Sequence, residues 1–465
     1  MNPEQYHLVY KTSTTPFFPS CLVGKIFSGK FEKLIGLGIK PAKVIVIIID
    51  GSKHWFFDRK LEKTAIKVFD YIFSRPKYIQ KIREKEKEVS LILLQTIKTP
   101  ISQLFIGKRL NKNGEMKLRQ LFSLISSYAQ IVDGPGFLFQ VYLTDKLRKE
   151  IYDKLNLPND KKEEIFHYSI SSVRKTNYEK FLFEISGALE NKKAQKEIAD
   201  EFYWLIHDYL GHIIDENYVK KKMNEFRRDR KSLQQHLNGS LERISKIKRL
   251  NKELPKELLQ KVNMIQELLF LYNERKKEVL NKVNVYIRKV MEYKLGRISI
   301  SKLKNICQLS PDEIIHYLKG YSIQDIEKRN RRWAYLIENE AISNAPDDYF
   351  ILVSSQGEAK ELKGLPASPG NVKGRVSIIL NISHIHKFKD GDILVAPYTN
   401  VNYLPIMSKA KAILTETGGI TSHAAIVSRE LKKPCIVGIK HLLLMLKDGD
   451  FVEVNANHGT IKILG

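Results

Sequence analysis

The sequence predicts an α+β multidomain protein, with a mostly helical amino-terminal region that has a small β-rich start and a carboxy-terminal α/β domain. Between about residues 60 and 340, apolar side chains recur at spacings of three and four, as in helices with one buried face. Beyond about residue 340 the chain changes to short β-branched runs separated by glycines. We therefore divide it into a region of residues 1–355 and a domain of residues 356–465.

Composition excludes several classes of protein. Hydrophobic residues make up 43% of the chain, as in globular proteins. The longest apolar runs, such as residues 44–49 and 442–446, are too short to span a bilayer, and no secretory signal is visible at the start. Cys21, Cys307 and Cys435 lie far apart without a CxxC pair, which argues against a disulfide framework or a structural zinc site. We expect a cytoplasmic protein with no bound metal and no membrane partner.

The chain is strongly basic, with 78 Lys and Arg against 52 Asp and Glu and a formal net charge of +26. Such a balance is compatible with nucleic acid, an anionic membrane or phosphorylated substrates as partners. The lysines, however, are interleaved with acidic residues along helical stretches, which is typical of solvated helix faces. Nucleic-acid binding by residues 216–300 is thus an alternative that the sequence does not favour.

Local signals place several elements of the amino-terminal region. The apolar run 44–49, the Asp50-Gly51 pair and the aromatic run that follows predict a β-hairpin at 44–57. Residues 216–300 predict two long charged helices broken near Pro255 and arranged as an antiparallel pair. Ser310, with Pro311 next and Glu313 three positions later, predicts the start of a helix.

In the carboxy-terminal domain, the pattern predicts six strands and one helix. The helix is expected at 422–431, and the strands are expected at 374–380, 392–396, 412–414, 435–437, 451–454 and 460–464.

His423 is the candidate nucleophile of this domain. A strand enters a glycine turn, and a helix begins near residue 421, with Thr421 or Ser422 as its cap. His423 then lies in the first turn, where unpaired backbone N–H groups and the positive end of the helix dipole favour a bound anion. A neutral imidazole is available as a nucleophile at the pH of the cell. Taken alone, however, a histidine near a helix start is more often a structural or solvated residue.

The residues around His423 also suit a nucleophilic histidine that binds an anion. Gly418 and Gly419 have no side chains, so a bulky phosphoryl donor can approach. The hydroxyl of Thr415, Thr417 or Thr421 could hold one ring nitrogen and so expose the other.

The whole segment resembles a family signature. Residues 415–431, TETGGITSHAAIVSREL, and residues 433–438, KPCIVG, resemble the mobile domain of the phosphoenolpyruvate (PEP)-utilising enzymes, which include phosphoenolpyruvate synthase, pyruvate phosphate dikinase and rifampicin phosphotransferase. The resemblance extends over about 360–465, since the family's flanking strands are matched by 364–374, 389–396, 447–450 and 458–460. Residues 399–402 and 454–456 depart from the usual pattern of the family.

This resemblance implies a swivelling phosphohistidine domain in which His423 carries a phosphoryl group. Thr421 and Ser422 would support the histidine, and Gly418 and Gly419 would give access to it. Arg429 would contact phosphate or form a structural salt bridge with a local glutamate.

Residues 1–355 do not resemble the ATP-grasp domain that loads such carriers from ATP. A near match to a phosphate-binding loop at 24–31 lacks the hydroxyl that would hold Mg²⁺. The resemblance therefore implies a phosphotransferase component loaded by a separate ATP-grasp partner, with ATP and Mg²⁺ at the partner's site, or by PEP. The phosphoryl group would pass to a small-molecule acceptor, and the alternative is an inactive docking or regulatory protein that keeps the fold.

The helical region shows weaker similarities to the substrate-side helical domain of the same family. Residues 201–204 and 210–212 resemble one of its elements, which makes Trp204 and His212 candidate substrate-side residues. His207 and His212 are five positions apart, which is wrong for one helix face, so we expect no metal site there.

Overall fold

The computed structural model describes most of the helical region and most of the carboxy-terminal domain. Its described residues are 6–12, 44–49, 52–58, 77–191, 195–207, 213–296, 306, 309–323, 332–338, 341–344, 362–379, 385, 387–399, 403–416, 418–420, 422–439 and 442–464. The chain forms two compact units. We call the described residues of 77–323 the helical unit and those of 362–464 the sheet unit. The predicted boundary at 355/356 lies outside the described residues, whereas the predicted mixture of α and β structure is confirmed.

Among the described residues, seven strands lie outside the sheet unit. Strands β2 and β3 occupy the two arms of the predicted hairpin, and β2 pairs antiparallel with β6, from Val44 opposite Ile337 to Ile49 opposite Arg332. The strands are β1 (Tyr6–Thr12), β2 (Val44–Ile49), β3 (Ser52–Asp58), β4 (Phe105–Ile106), β5 (Arg109–Leu110), β6 (Arg332–Glu338) and β7 (Ala341–Asn344). The β-branched run of β2 is typical of a strand.

The helical unit is built from amphipathic helices that bury one stripe each. In α8, for example, Leu258, Val262, Ile265 and Leu269 recur at helical spacing and are all buried. The helices are α1 (Lys77–Thr96), α2 (Lys112–Lys154), α3 (Asn159–Ser169), α4 (Asn177–Asn191), α5 (Gln195–Phe202), α6 (Glu216–Arg228), α7 (Arg230–Lys252), α8 (Lys256–Phe270), α9 (Lys276–Leu295) and α10 (Pro311–Leu318). A π-helical turn, Leu271–Arg275, joins α8 to α9.

The charged segment 216–300 is broken after residue 252, and Pro255 precedes α8 as predicted. It is also divided at Asp229, where α6 ends and α7 begins. The predicted antiparallel pair was wrong, because α7 packs mainly on α3 and α4 whereas α8 packs on α2. Periodicity shows which face of a helix is buried but not which neighbour covers it. The predicted helix start at Ser310 is confirmed, with Pro311 at the first position and a capping box to Glu313.

The sheet unit is an eight-stranded mixed sheet in the order β8–β15–β14–β10–β11–β12–β13–β9. The central strands β10 to β13 are parallel, and antiparallel strands flank them on both sides. The elements are β8 (Leu362–Lys363), β9 (Leu365–Ser368), β10 (Asn371–Ile378), β11 (Ile393–Ala396), α11 (Leu404–Lys409), β12 (Ala412–Thr415), α12 (His423–Glu430), β13 (Cys435–Val437), α13 (Leu442–Met445), β14 (Phe451–Asn455) and β15 (Thr460–Ile463). The six strands and the helix predicted for this domain are confirmed to within a few residues, but the pattern did not predict β8, β9, α11 or α13.

Both faces of the parallel strands are buried, as expected for strands covered by helices on each side. Val395 and Leu414 pack with Leu442 on one face, and Leu394 and Ile413 pack with α11 and α12 on the other. Because β11, β12 and β13 are parallel, their carboxyl ends meet at one edge of the sheet, where open α/β sheets commonly bind ligands. Among the described helices, none has the length and apolar character needed to cross a membrane.

Candidate functional site

The side chain of Ser422 begins the helix that carries the candidate nucleophile. Ser422 has extended backbone angles, and its hydroxyl accepts a hydrogen bond from the Ala425 N–H at 3.4 Å. Of the two predicted caps it is therefore Ser422 that serves, and Thr421 lies outside the described residues. His423 is the first residue of α12 and is partly exposed. Its position beside the open N–H groups of the first turn favours a negative charge on the imidazole side chain.

Thr399 holds the imidazole of His423. The Thr399 hydroxyl oxygen lies 2.9 Å from His423 Nδ1, and Thr399 is only 6% exposed. Thr399 follows β11 and His423 follows β12, and because these two parallel strands are neighbours their loops meet. The sequence argument missed Thr399, which lies in the segment 399–402 that departs from the family pattern. Only the order of the strands brings these two residues together, since they are 24 positions apart.

Thr415 does not make the predicted contact with a ring nitrogen of His423, and its wider supporting role stays a prediction. Thr415 ends β12, is fully buried, and its hydroxyl oxygen makes no hydrogen bond within the described part of the chain. It does not hold the ring nitrogen, because that contact is made by Thr399. Thr417 lies outside the described residues, so its predicted role stays a prediction.

The glycines before α12 allow close packing of the loop against the helix start. Gly418 has φ +113°, and a Cβ added to it would lie 2.9 Å from the side chain of Ser422. Gly438, in the loop after β13, has φ +65°, and its added Cβ would lie 2.9 Å from the carbonyl oxygen of Gly418. Both positions therefore require glycine. Gly419 is buried, and access for a phosphoryl donor stays a prediction.

Arg429 is half-buried in the sheet unit. Its Nη1 donates to the carbonyl oxygen of Ile420 at 2.7 Å and to that of Ala367 at 3.2 Å. Burial lowers the pKa of the guanidinium to about 10, although the ionisable groups of Cys435 and Glu430 act in the opposite direction. It forms no ion pair with a glutamate among the described residues, so the predicted structural salt bridge was wrong. The predicted phosphate contact stays a prediction.

Cys435 lies on β13, with its sulfur 3.9 Å from the carbonyl oxygen of Ala424 in α12. Burial raises the pKa of this thiol to about 12. The thiol is therefore neutral at the pH of the cell and packs as a small apolar side chain.

In the helical unit, Trp204 is a buried side chain. Its indole N–H donates to the carbonyl oxygen of Glu201 at 3.0 Å, and only 4% of the residue is exposed. A buried indole presents little surface to a substrate, and His212 lies outside the described residues. A cavity of about 500 Å³ lies next to this point, and its lining includes Tyr203 and Lys289. Sequence reasoning singled out the tryptophan and missed the neighbouring tyrosine, because side-chain burial depends on tertiary packing.

The geometry defines a class of domain. A histidine begins a helix at the carboxyl edge of a parallel sheet, one ring nitrogen is held by a buried hydroxyl, and the backbone around it is suited to an anion. Residues 388–459 match the family described as PEP-utilising enzyme, mobile domain. Residues 388–459 of the sheet unit are thus similar to the mobile domain that the sequence resembles.

Curated relatives show the same likeness. The chain is 43% identical over 166 residues to phosphoenolpyruvate synthase of Pyrococcus furiosus, which is 33% of this chain and 20% of the relative. It is 38% identical over 183 residues to a probable phosphoenolpyruvate synthase of Archaeoglobus fulgidus, 37% of this chain and 23% of the relative. It is 29% identical over 171 residues to rifampicin phosphotransferase of Bacillus subtilis, 32% of this chain and 19% of the relative. The matches thus cover about a fifth of the length of these relatives.

Proposed function

We propose that His423 transiently carries a phosphoryl group from a donor to a small-molecule acceptor. The observation that supports this most directly is the 2.9 Å contact between His423 Nδ1 and the Thr399 hydroxyl at the start of α12. It orients the imidazole at the edge of the sheet where the match to the mobile domain lies.

In the proposed reaction, the lone pair of His423 Nε2 attacks the phosphorus of the donor. For that lone pair to be present, Nδ1 must carry the proton, and the Nδ1–H then donates to the Thr399 hydroxyl oxygen. The N–P bond forms while the bond from phosphorus to the donor's oxygen breaks, and its electron pair leaves with that oxygen. The N–H groups and dipole at the start of α12 stabilise the added negative charge.

We propose that the donor is either ATP, handled by a separate ATP-grasp partner, or PEP. The supporting argument is that residues 1–355 do not resemble an ATP-grasp domain and that the matches cover about a fifth of the relatives' length. In the first case Mg²⁺ would neutralise the phosphates of ATP at the partner's site. We propose the helical region as the holder of the acceptor, in keeping with its weak resemblance to a substrate-side domain.

The test is mass spectrometry of the purified protein after incubation with labelled PEP, with ATP and Mg²⁺, and with either donor plus cell extract. We expect an acid-labile, base-stable phosphate on His423 that is absent from His423→Ala. His458→Ala is the matched control, because His458 is an exposed histidine of the same unit, and it should label normally. A label that appears only with extract would indicate a separate loading subunit.

Variants of Thr399 test the orientation of the ring. Thr399→Val removes the hydroxyl at similar volume and should slow labelling by about 10- to 100-fold, the range typical of lost support to a functional side chain. Thr399→Ser keeps the hydroxyl and should retain most of the rate. The absence of any label from the wild-type protein with every donor would favour the alternative, a docking or regulatory protein that keeps the fold.

A further inference from the structure

Arg429 is a half-buried cation that forms no ion pair with a carboxylate among the described residues. Within the described residues, its hydrogen bonds go to two backbone carbonyl oxygens, those of Ile420 and Ala367. Among the described residues it forms no ion pair, although Arg375 in the same unit pairs with Asp392. A desolvated charge paired only with neutral dipoles is costly, so its placement calls for a physical account.

The side chain of Arg429 returns to the start of the helix that carries it. Arg429 lies six positions after His423, but its Nη1 is 2.7 Å from the carbonyl oxygen of Ile420, three positions before His423. Side chains on a helix lean towards its amino end, which permits this reach. The guanidinium thereby links the loop before His423 to β9, through Ala367.

The charge of Arg429 adds to the positive end of α12. The neighbouring Cys435 thiol is kept neutral by burial, which raises its pKa to about 12. Glu430, on the same helix, is exposed to solvent and is therefore largely screened. The start of α12 is thus positive from two sources, its own dipole and the half-buried guanidinium of Arg429.

We infer that Arg429 is a positioning residue that holds the loop 418–420 against β9 and stabilises the phosphorylated form of His423 over the unphosphorylated form. This inference rests on the proposed function and adds a residue whose positive charge stabilises the phosphoryl group on His423. Arg429 acts through the loop and through its electric field, so it is not a catalytic residue.

The test uses phosphoramidate, a chemical phosphoryl donor that needs no partner protein. The full-length protein and its variants are phosphorylated, and two quantities are measured: the lifetime of phosphohistidine at position 423 and the change in thermal midpoint on phosphorylation. In the wild-type protein we expect a long lifetime and an upward shift of the midpoint. Arg429→Met should shorten the lifetime by about tenfold and abolish the shift.

Two further variants separate charge from structure. Arg429→Lys keeps the positive charge and should retain most of the lifetime and of the midpoint shift, even if its stability is lower. Arg375→Met, at a partly exposed and paired arginine of the same unit, should leave both quantities unchanged. If Arg429→Met fails to fold, Arg429→Gln, which can still donate to a carbonyl but carries no charge, replaces it.

The outcomes distinguish this inference from the proposed function. If His423 is phosphorylated but the neutral variants match the wild-type protein in lifetime and in midpoint shift, the role of Arg429 is refuted and the carrier role stands. If Arg429→Lys loses as much as Arg429→Met, the charge is not the cause and the inference is also refuted. If no protein is phosphorylated at His423 by phosphoramidate or by the biological donors, both proposals fail.

Discussion

Two half-buried arginines, one in each unit, differ in the groups that surround their charges. Arg275, in the π-helical turn, donates from Nε to Glu86 and from Nη1 to Glu278, each at 3.0 Å. Burial acts to lower its pKa, but the charges of Glu86 and Glu278 outweigh burial and the pKa lies above its ordinary value. In the described part of the chain the hydrogen-bond partners of Arg429 are carbonyl oxygens, and burial lowers its pKa to about 10.

The difference follows from the kind of backbone that each unit offers. In the helical unit most backbone carbonyls are bonded within the helices, so a half-buried guanidinium such as that of Arg275 needs side-chain acceptors. Glu86 on α1 meets this need and also accepts from the Tyr128 hydroxyl at 3.1 Å. In the sheet unit, β9 supplies the carbonyl of Ala367 and the loop before α12 supplies that of Ile420. The charge of Arg275 is therefore paired with carboxylates, whereas the charge of Arg429 is paired with no carboxylate among the described residues.

The largest expected effect comes from removing Arg275 from its ion pairs with Glu86 and Glu278. Arg275→Met should lower the free energy of unfolding by about 3–5 kcal/mol, because Glu86 would remain as a buried and uncompensated carboxylate. Urea unfolding followed by circular dichroism measures this loss.

Two variants control that experiment. Arg275→Met combined with Glu86→Gln should recover part of the loss, since no charge then stays buried. Arg119→Met removes a largely exposed arginine that pairs with Asp312, and it should cost less than about 1 kcal/mol. Equal losses for Arg275→Met and Arg119→Met would contradict the contrast between buried and exposed charge.

A smaller effect tests the backbone of the sheet unit. Gly418→Ala must adopt φ +113° and place its Cβ against Ser422, so we expect a loss of about 1–3 kcal/mol and slower labelling of His423. Gly449→Ala is the matched control, because Gly449 has φ +95° but open space around an added Cβ. It should cost about 1 kcal/mol through backbone strain alone and leave labelling unchanged. A Gly418→Ala protein that labels at the wild-type rate would show that the loop tolerates a displaced cap.

The smallest effect concerns the neutral thiol of Cys435, which contacts α12. A thiol in the unfolded chain ionises near its ordinary value of 9.0, whereas the pKa of Cys435 in the folded protein is about 12. The unfolded chain therefore loses its proton first, and stability falls as the pH rises. This contribution is fully present below pH 9 and is lost as the pH approaches 12, with a slope of at most about 1.4 kcal/mol per pH unit.

Cys435→Ala removes this titration and should show a shallower loss of stability than the wild-type protein between pH 9 and 10. Urea unfolding at several pH values measures both slopes, and the comparison of slopes is independent of any constant cost of the substitution. Identical slopes would mean that the thiol is exposed to solvent in the folded protein.

Much of the sheet unit was predictable because its signals are local. Its strands follow from β-branched runs between glycines. Ser422 in this unit and Ser310 in the helical unit each cap a helix through an atom three positions away. Such contacts are determined by neighbouring residues whatever the rest of the chain does. His423 could therefore be placed in the first turn of α12 from the sequence.

The partners of these residues were decided by tertiary structure. Thr399 replaced Thr415 as the residue that holds His423, because β11 lies beside β12 and brings their loops together. Arg429 donates hydrogen bonds to two carbonyl oxygens and not to the predicted glutamate. Helix α7 packs mainly on α3 and α4 and not on α8 as predicted. The sequence by itself determined which residues could carry the chemistry and where the elements begin. Only the folded chain decided which elements are neighbours, because that choice depends on burying both faces of the sheet and one face of every helix at once.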